Sequence, residues 1–296
     1  KICADFEEAA KLLPASRIDA LQYIPTKGAA LAFKARMQLY AASPLFNGNS
    51  YYSDWKDSEG RNFIAQTEDK VKWGKAAATF KRIIDMNKYA IHTVSKIVNE
   101  KGTGTLPLPE TVSDADFPDG AGGIDPYKSY KTLFDGTYQP ELVKEYIYFS
   151  KNNGNYILVT PSKLGGISSF SVTLDMIDEY RMADGRPFSE ATQAEKSWQA
   201  VGQDKTFSSD YLLSGNRAHR DDGREPRFYA AIGFNACIWP TTSHRDGLSA
   251  GTRNYVTDYY YGGSASDMNN NDNRTRTGYT CRKYVHQDDC IFWNGV

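Results

Sequence analysis

The sequence predicts a mainly α fold, in which a tetratricopeptide-like superhelix of helix pairs carries a large loop-rich region with short strands. Two observations predict it. Alanine occurs 16 times in residues 1–100 and 12 times in the 196 residues that follow, while glycine reverses the bias with 4 and 20. The front is therefore composed for helices and the rest for turns. The second observation is a spacing. "FEEAAKLLP" and "WGKAAATFKRIID" both read as the second helix of a tetratricopeptide pair, and Phe6 and Trp73 stand 67 residues apart, close to twice the ~34-residue period of that repeat. The chain divides on this reading into a helical-repeat portion, residues 1–100, and a loop-rich portion, residues 101–296, packed on the same scaffold.

Each element has its own signal. "DFEEAAKLL", Asp5 to Leu13, opens on a capping residue, carries acids in its first turn and stops at Pro14. "KGAALAFKARMQLYAAS", Lys27 to Ser43, places Leu31, Ala35, Leu39 and Ala42 at helical spacing and ends before Pro44. Residues 44–70 form an insertion whose Phe46 is expected to close the core. "VKWGKAAATFKRIIDMNKY", Val71 to Tyr89, puts Trp73, Ala77, Phe80 and Ile84 on one stripe; small alanines between large rings allow close helix packing. Beyond residue 100 the periodicity breaks up. Leu174 to Met182 reads as a short amphipathic helix closed by Asp184-Gly185. Arg227 to Phe234 and Tyr279 to Val285 read as short strands.

Composition excludes several classes of function. The formal net charge is −1, from 35 basic and 36 acidic residues, so no electrostatic argument favours nucleic acid or an anionic membrane surface. No apolar run approaches the ~20 residues of a membrane-spanning helix. The chain shows no signal peptide and does not begin with Met, which reads as a mature or trimmed fragment. Cys3, Cys237, Cys281 and Cys290 form no CxxC pair, and Cys281–His286–Cys290 lacks the fourth ligand of a zinc site. A Cys281–Cys290 disulfide is the more plausible pairing outside the cytoplasm. His92, His219, His244 and His286 show no metallohydrolase spacing, and no GxSxG, Walker or GxGxxG pattern occurs. "DMNNNDN", Asp267 to Asn273, lacks the glycine and glutamate of a calcium loop and reads as a solvated loop. No catalytic residue, metal or cofactor is expected.

Five stretches taken together resemble the SusD/RagB family of surface glycan-binding lipoproteins. They are "TKGAALAFKARMQLYAASPLFNGN", "WGKAAATFKRIID", "SFSVTLDMIDEYRMADGRPF", "DDGREPRFYAAI" and "TGYTCRKYV", collinear over nearly the whole chain. The resemblance implies four tetratricopeptide-like units in a full-length member, with a loop-rich ligand face. It also implies a partner, a SusC-like TonB-dependent transporter, and a place on the extracellular face of the outer membrane, held by an N-terminal lipid outside this chain. Family members are longer, so the chain looks like the middle of such a protein.

A neutral glycan offers C–H ring faces that aromatic side chains cover and hydroxyl edges that Asn, Asp and Arg bond. The back half supplies both kinds: Trp239, Tyr255, Tyr259, Tyr260 and Tyr261 among Asn235, Arg245, Asp246, Arg253 and Asn254. In the triplet "YYY" one ring can pack inward while a neighbour stays available. Tyr51, Tyr52 and Trp55 in "FNGNSYYSDW" are a second candidate group. Arg224 and Arg227 around Glu225-Pro226 read as a structural ion network. Asp221, Asp222 and Glu225 are the one conceivable glycosidase set, but that mechanism depends on a carboxylate separation no sequence gives. The expected function is therefore non-enzymatic capture of a glycan for delivery to the transporter. The alternatives are a peptide-binding uptake protein of the same fold and a protein–protein scaffold without a small ligand.

Overall fold

A computed structural model describes residues 1–17, 21, 24–95, 124–134, 156–164, 166–208, 211–241, 253–263, 265 and 274–285. These fall into two compact units, one of residues up to 91 and one from residue 92 onward.

The first unit is three helices and a long loop. Helix α1 spans Ile2–Leu12, α2 Lys27–Ala42 and α3 Val71–Asp85. The first starts earlier than the capping rule predicts. Lys1 stands at the N-cap with no side-chain bond, and Asp5 lies in the first turn, where its charge favours the helix dipole. Helix α2 starts where Thr26 accepts from the Ala29 N–H. Its buried face, Gly28, Ala29, Ala30, Leu31, Ala35 and Ala42, is nearly all small, so neighbouring helices approach closely. Leu39 is exposed, against expectation.

Helix α3 corrects the predicted stripe. Its buried residues are Ala76, Thr79 and Ile83, whereas Trp73, Phe80 and Ile84 are exposed. The small face meets α2, and Thr79 Oγ1 donates to Gln38 Oε1 at 2.6 Å. Side-chain size decided this orientation, because an alanine-lined surface on α2 accepts small partners better than rings. The three helices are further joined at Glu7 of α1, whose carboxylate accepts from Lys34 of α2 and from both terminal nitrogens of Arg82 of α3, at 2.8 and 2.9 Å.

The second unit is built from short pieces. Its helices are α4 Pro126–Lys131, α5 Tyr156–Val159, α6 Leu174–Glu179 and α7 Pro226–Ala231. Its strands make three antiparallel pairs: β1 Lys205–Ser208 with β2 Tyr211–Leu213, β3 Ile232–Gly233 with β6 Thr280–Cys281, and β4 Ile238–Thr241 with β5 Arg253–Val256. The predicted strand at 227–234 is instead α7 followed by the two residues of β3. Pro226 occupies the first helical turn, where its fixed φ and missing N–H fit. Phe228, Tyr229, Ala230 and Ala231 are all buried, so no face alternates and the pattern cannot tell helix from strand. The strand at 279–285 is confined to β6. The core gathers around this junction, with Phe228 and Phe234 stacked at 5.4 Å and Leu213, Trp239 and Tyr279 in the same cluster.

Candidate ligand-binding site

The loop between α2 and α3 carries a connected row of rings, of which Tyr51, Trp55 and Phe63 are exposed and Tyr52 is half-buried. Tyr51 and Tyr52 meet edge to face with centroids 5.0 Å apart, Tyr52 and Trp55 lie 6.3 Å apart, and Trp55 and Phe63 5.2 Å. Tyr51 is 85 % exposed, Trp55 56 % and Phe63 59 %. Three exposed rings joined through the half-buried Tyr52 form an apolar strip that the fold has not fully buried.

The loop beneath them is tightly bonded. Asn47 is buried, and its side-chain amide donates to the Ala42 and Asp69 carbonyls at 3.3 and 3.1 Å and accepts from the Asp69 N–H at 2.9 Å. One side chain thus ties the start of the loop to its end. Gly48, at φ +88°, and Asn49 both donate to the Ala65 carbonyl. Asn49 Oδ1 accepts from the Tyr51 N–H at 3.1 Å, opening the short turn Ser50–Tyr52. The return strand is set at Asp57, whose carboxylate accepts from the Glu59 and Arg61 N–H groups and from Arg61 Nε at 2.7 Å. Those bonds hold the Asp57 carboxyl below its usual range, the Arg61 side chain first among them. The Phe63 N–H donates to the Trp55 carbonyl at 3.1 Å, which brings the two rings together. Phe46, expected to close the core, is exposed, and Asn47 takes the inward position instead.

The second group of candidates separates. Trp239 is 2 % exposed, with the Arg282 guanidinium 4.8 Å from its ring centre and the backbone of Gly233 close against it. It offers no face to a ligand, and neither does Tyr259, which is buried with its N–H bonded to Asn235 Oδ1 at 2.9 Å. Burial pushes the Tyr259 hydroxyl well above its ordinary pKa. Tyr260 and Tyr261 are exposed at 60 % and 76 % on the turn that follows, and the Arg274 guanidinium lies 5.9 Å from the Tyr261 ring. Tyr255, Asn254 and Arg253 lie on β5, paired through the backbone with Trp239, Pro240 and Thr241. Arg245 and Asp246 fall outside the described residues, as do His244, His286, Cys290 and the 267–273 loop. Cys281 is a free thiol, as are Cys3 and Cys237.

The carboxylates once conceivable as a hydrolytic set are engaged in holding the chain. Asp221 is buried and accepts from Tyr279 OH at 2.8 Å; burial raises its carboxyl to about 7. Asp222 accepts from Arg217, which also bonds the Gln203 and Ser214 carbonyls. Glu225 accepts from Arg227 and from the Arg181 N–H. Arg224 is fully buried between the rings of Phe188 and Phe228 and donates to the carbonyls of Ile177, Tyr180 and Arg220. Of the ion network expected around Glu225, the Arg227 pair is present, whereas Arg224 bonds backbone carbonyls and makes no ion pair among the described residues. Among the described residues no cluster suited to a metal ion occurs, and no helix is long and apolar enough to cross a membrane.

The model of the SusD family matches residues 132–295, more than half of the sequence. The chain belongs to the SusD family. Solved structures extend the likeness to both units of this SusD-family chain. The protein BT4246 superposes with a TM-score of 0.66 at 22% identity, covering 96% of this chain and 48% of its own. A SusD-like protein, BF3747, from Bacteroides fragilis NCTC 9343 gives 0.55 at 18% identity, covering 96% and 41%. The SusD-family chain thus spans about half the length of the solved structures it matches. No curated protein matches it.

Two contributors to the site were not picked out from the sequence. Phe63 joins the ring row only because the chain returns at Gly60, whose φ of +79° marks a turn; the "SEG" before Arg61 is the one local signal for it. Asn47 looked like one more polar loop residue.

Proposed function

We propose that this chain captures a neutral glycan at the cell surface, without hydrolysing it, for delivery to a TonB-dependent transporter of the outer membrane. Membership of the SusD family supports the nutrient-uptake role and, with it, a lipid-anchored protein with further tetratricopeptide-like helix pairs. The observation that carries the ligand class is the row Tyr51–Tyr52–Trp55–Phe63, with Tyr51, Trp55 and Phe63 exposed, on a loop fixed by Asn47 and Asp57. Rigid rings lose little entropy when covered, and apolar faces in series suit successive sugar rings better than they suit charged peptide anchors. Tyr260 and Tyr261 provide a second pair of exposed rings in the other unit.

The test is affinity electrophoresis through gels containing a panel of neutral polysaccharides, comparing wild type with Tyr51→Ala, Trp55→Ala and Tyr260→Ala. Retardation by one glycan that is lost in Tyr51→Ala or Trp55→Ala supports the reading. Retardation lost only in Tyr260→Ala keeps glycan capture and moves the platform. No retardation by any glycan overturns the reading.

A further inference from the structure

The second unit contains a cleft of about 670 Å³ between α6 and the segment 187–196, and Arg220 forms part of its wall. Its volume lies within the ~300–1,000 Å³ of small-molecule sites. Its charged lining residues are Asp175, Asp178, Glu179, Arg181, Lys196 and Arg220, three of each sign. A phosphate or carboxylate ligand would meet three carboxylates here, and a cation would meet three basic groups. The balanced pairing suits a neutral ligand rich in hydroxyls, each able to donate to a carboxylate and accept from a guanidinium or ammonium.

Arg220 distinguishes this cleft from a solvated charged surface. The residue is only 8 % exposed. Its guanidinium is held 4.2 Å from the Trp198 ring centre and 5.3 Å from that of Phe188. One terminal nitrogen donates to Asp178 Oδ1 at 2.6 Å, while Nε is buried with no partner. The other terminal nitrogen makes no hydrogen bond among the described residues. A buried guanidinium with unused donors costs free energy unless something accepts from it. Asp178 is the half-exposed partner, so its remaining lone pairs face the same space. Neighbouring donor and acceptor groups, fixed by two rings, match the two oxygens of a vicinal diol.

We propose that this cleft is a second binding site, which holds one neutral sugar unit through a diol bridging Asp178 and Arg220. Asp175 and Glu179 accept from its outer hydroxyls. The ligand class rests on the glycan reading above; the site itself does not depend on the ring row. A single-unit pocket in one unit and a stacking strip in the other would let the protein read both an individual sugar and the length of a chain.

Saturation-transfer NMR titrations with the neutral methyl glycosides of glucose, galactose, mannose and xylose test it, run alongside the polysaccharide gels. The variants are Asp178→Asn, the double variant Asp175→Asn/Glu179→Gln and Trp55→Ala, each checked for folding by circular dichroism. The expected result is that at least one glycoside binds wild type and Trp55→Ala equally and binds Asp178→Asn about tenfold more weakly, the loss of one charged hydrogen bond. If Asp178→Asn fails to fold, the double variant, altered only at exposed side chains, is expected to show the weakening. Glycoside binding unchanged in both cleft variants overturns the proposal. So does a wild type that is retarded by a polysaccharide yet binds no glycoside, a result that leaves glycan capture standing. Binding of neither glycoside nor polysaccharide sinks the glycan reading and the cleft's ligand class together.

Discussion

Replacing Glu7 by Gln removes a charge that joins all three helices of the first unit. Its carboxylate receives Lys34 from α2 and both terminal nitrogens of Arg82 from α3, and these bonds, Arg82's first, pull its pKa from 4.5 to about 2. At about 1.4 kcal/mol per unit the shift corresponds to a ceiling of about 3 kcal/mol. Arg82 is 45 % exposed, so water screens most of that, and roughly 1 kcal/mol is the expected loss in Glu7→Gln at neutral pH. The sign of the pH dependence follows from the direction of the shift. A carboxyl depressed in the folded state contributes fully above its unfolded value near 4.5, and the contribution disappears as pH falls toward 2. Urea unfolding followed by far-ultraviolet circular dichroism, at pH 7 and pH 3, measures both. The difference between wild type and variant is expected to shrink to roughly half or less at pH 3. An equal deficit at both pH values would refute the electrostatic account and point to packing; no deficit at pH 7 would show the triad to be without net value. Because the ring-bearing loop leaves from the end of α2, the variant also tests whether the helix frame supports the site.

Three further outcomes follow from particular contacts. Asp221→Asn removes a carboxyl that burial raises to about 7. In wild type the folded state holds a proton that the unfolded chain has released between about 4 and about 7, so this group's contribution to stability falls as pH rises through that window. The variant keeps an oxygen for Tyr279 and is expected to show a smaller drop in Tm between pH 5 and pH 8. Gly233→Ala would place a methyl group 2.8 Å from Thr280 Cγ2 and 2.9 Å from Trp239 Cζ2; such overpacking costs about 1–3 kcal/mol, read as a lower denaturant midpoint. Asn47→Ala removes the acceptor of the Asp69 N–H and the side-chain donor to the Ala42 and Asp69 carbonyls, the second of which keeps the Lys72 N–H, a cost of about 1–3 kcal/mol. It is expected to weaken glycan retardation although no ring is touched, and full retardation in a folded Asn47→Ala protein would show that the loop does not need this tie.

The first hundred residues declare their helices because capping, alanine content and prolines act within a few positions of one another. Helices α2 and α3 begin at the predicted Lys27 and Val71, while α1 begins at Ile2, ahead of the predicted Asp5. Which face of α3 turns inward was not legible. The choice between Trp73/Phe80/Ile84 and Ala76/Thr79/Ile83 depends on the small residues that α2 presents, a property of another segment. The same limit explains 226–231, where burial on all sides erased the period that separates helix from strand. In the "YYY" triplet the composition showed only that rings were plentiful. The turn after Thr257 and the bond from the Tyr259 N–H to Asn235 decided that Tyr259 goes inward and Tyr260 and Tyr261 stay out.

By itself, then, the sequence determined the helical front, the loop-rich back, the near-neutral charge and the segments that carry the family likeness, because each is a local or additive property of residues. Only the tertiary structure decided which aromatic rings remain available. It buried Trp239 under Arg282, joined Phe63 to Trp55 across the Asp57 turn, and set Arg220 between Trp198 and Phe188. A ring's exposure is fixed by what packs against it, and those partners come from parts of the chain that local pattern does not connect.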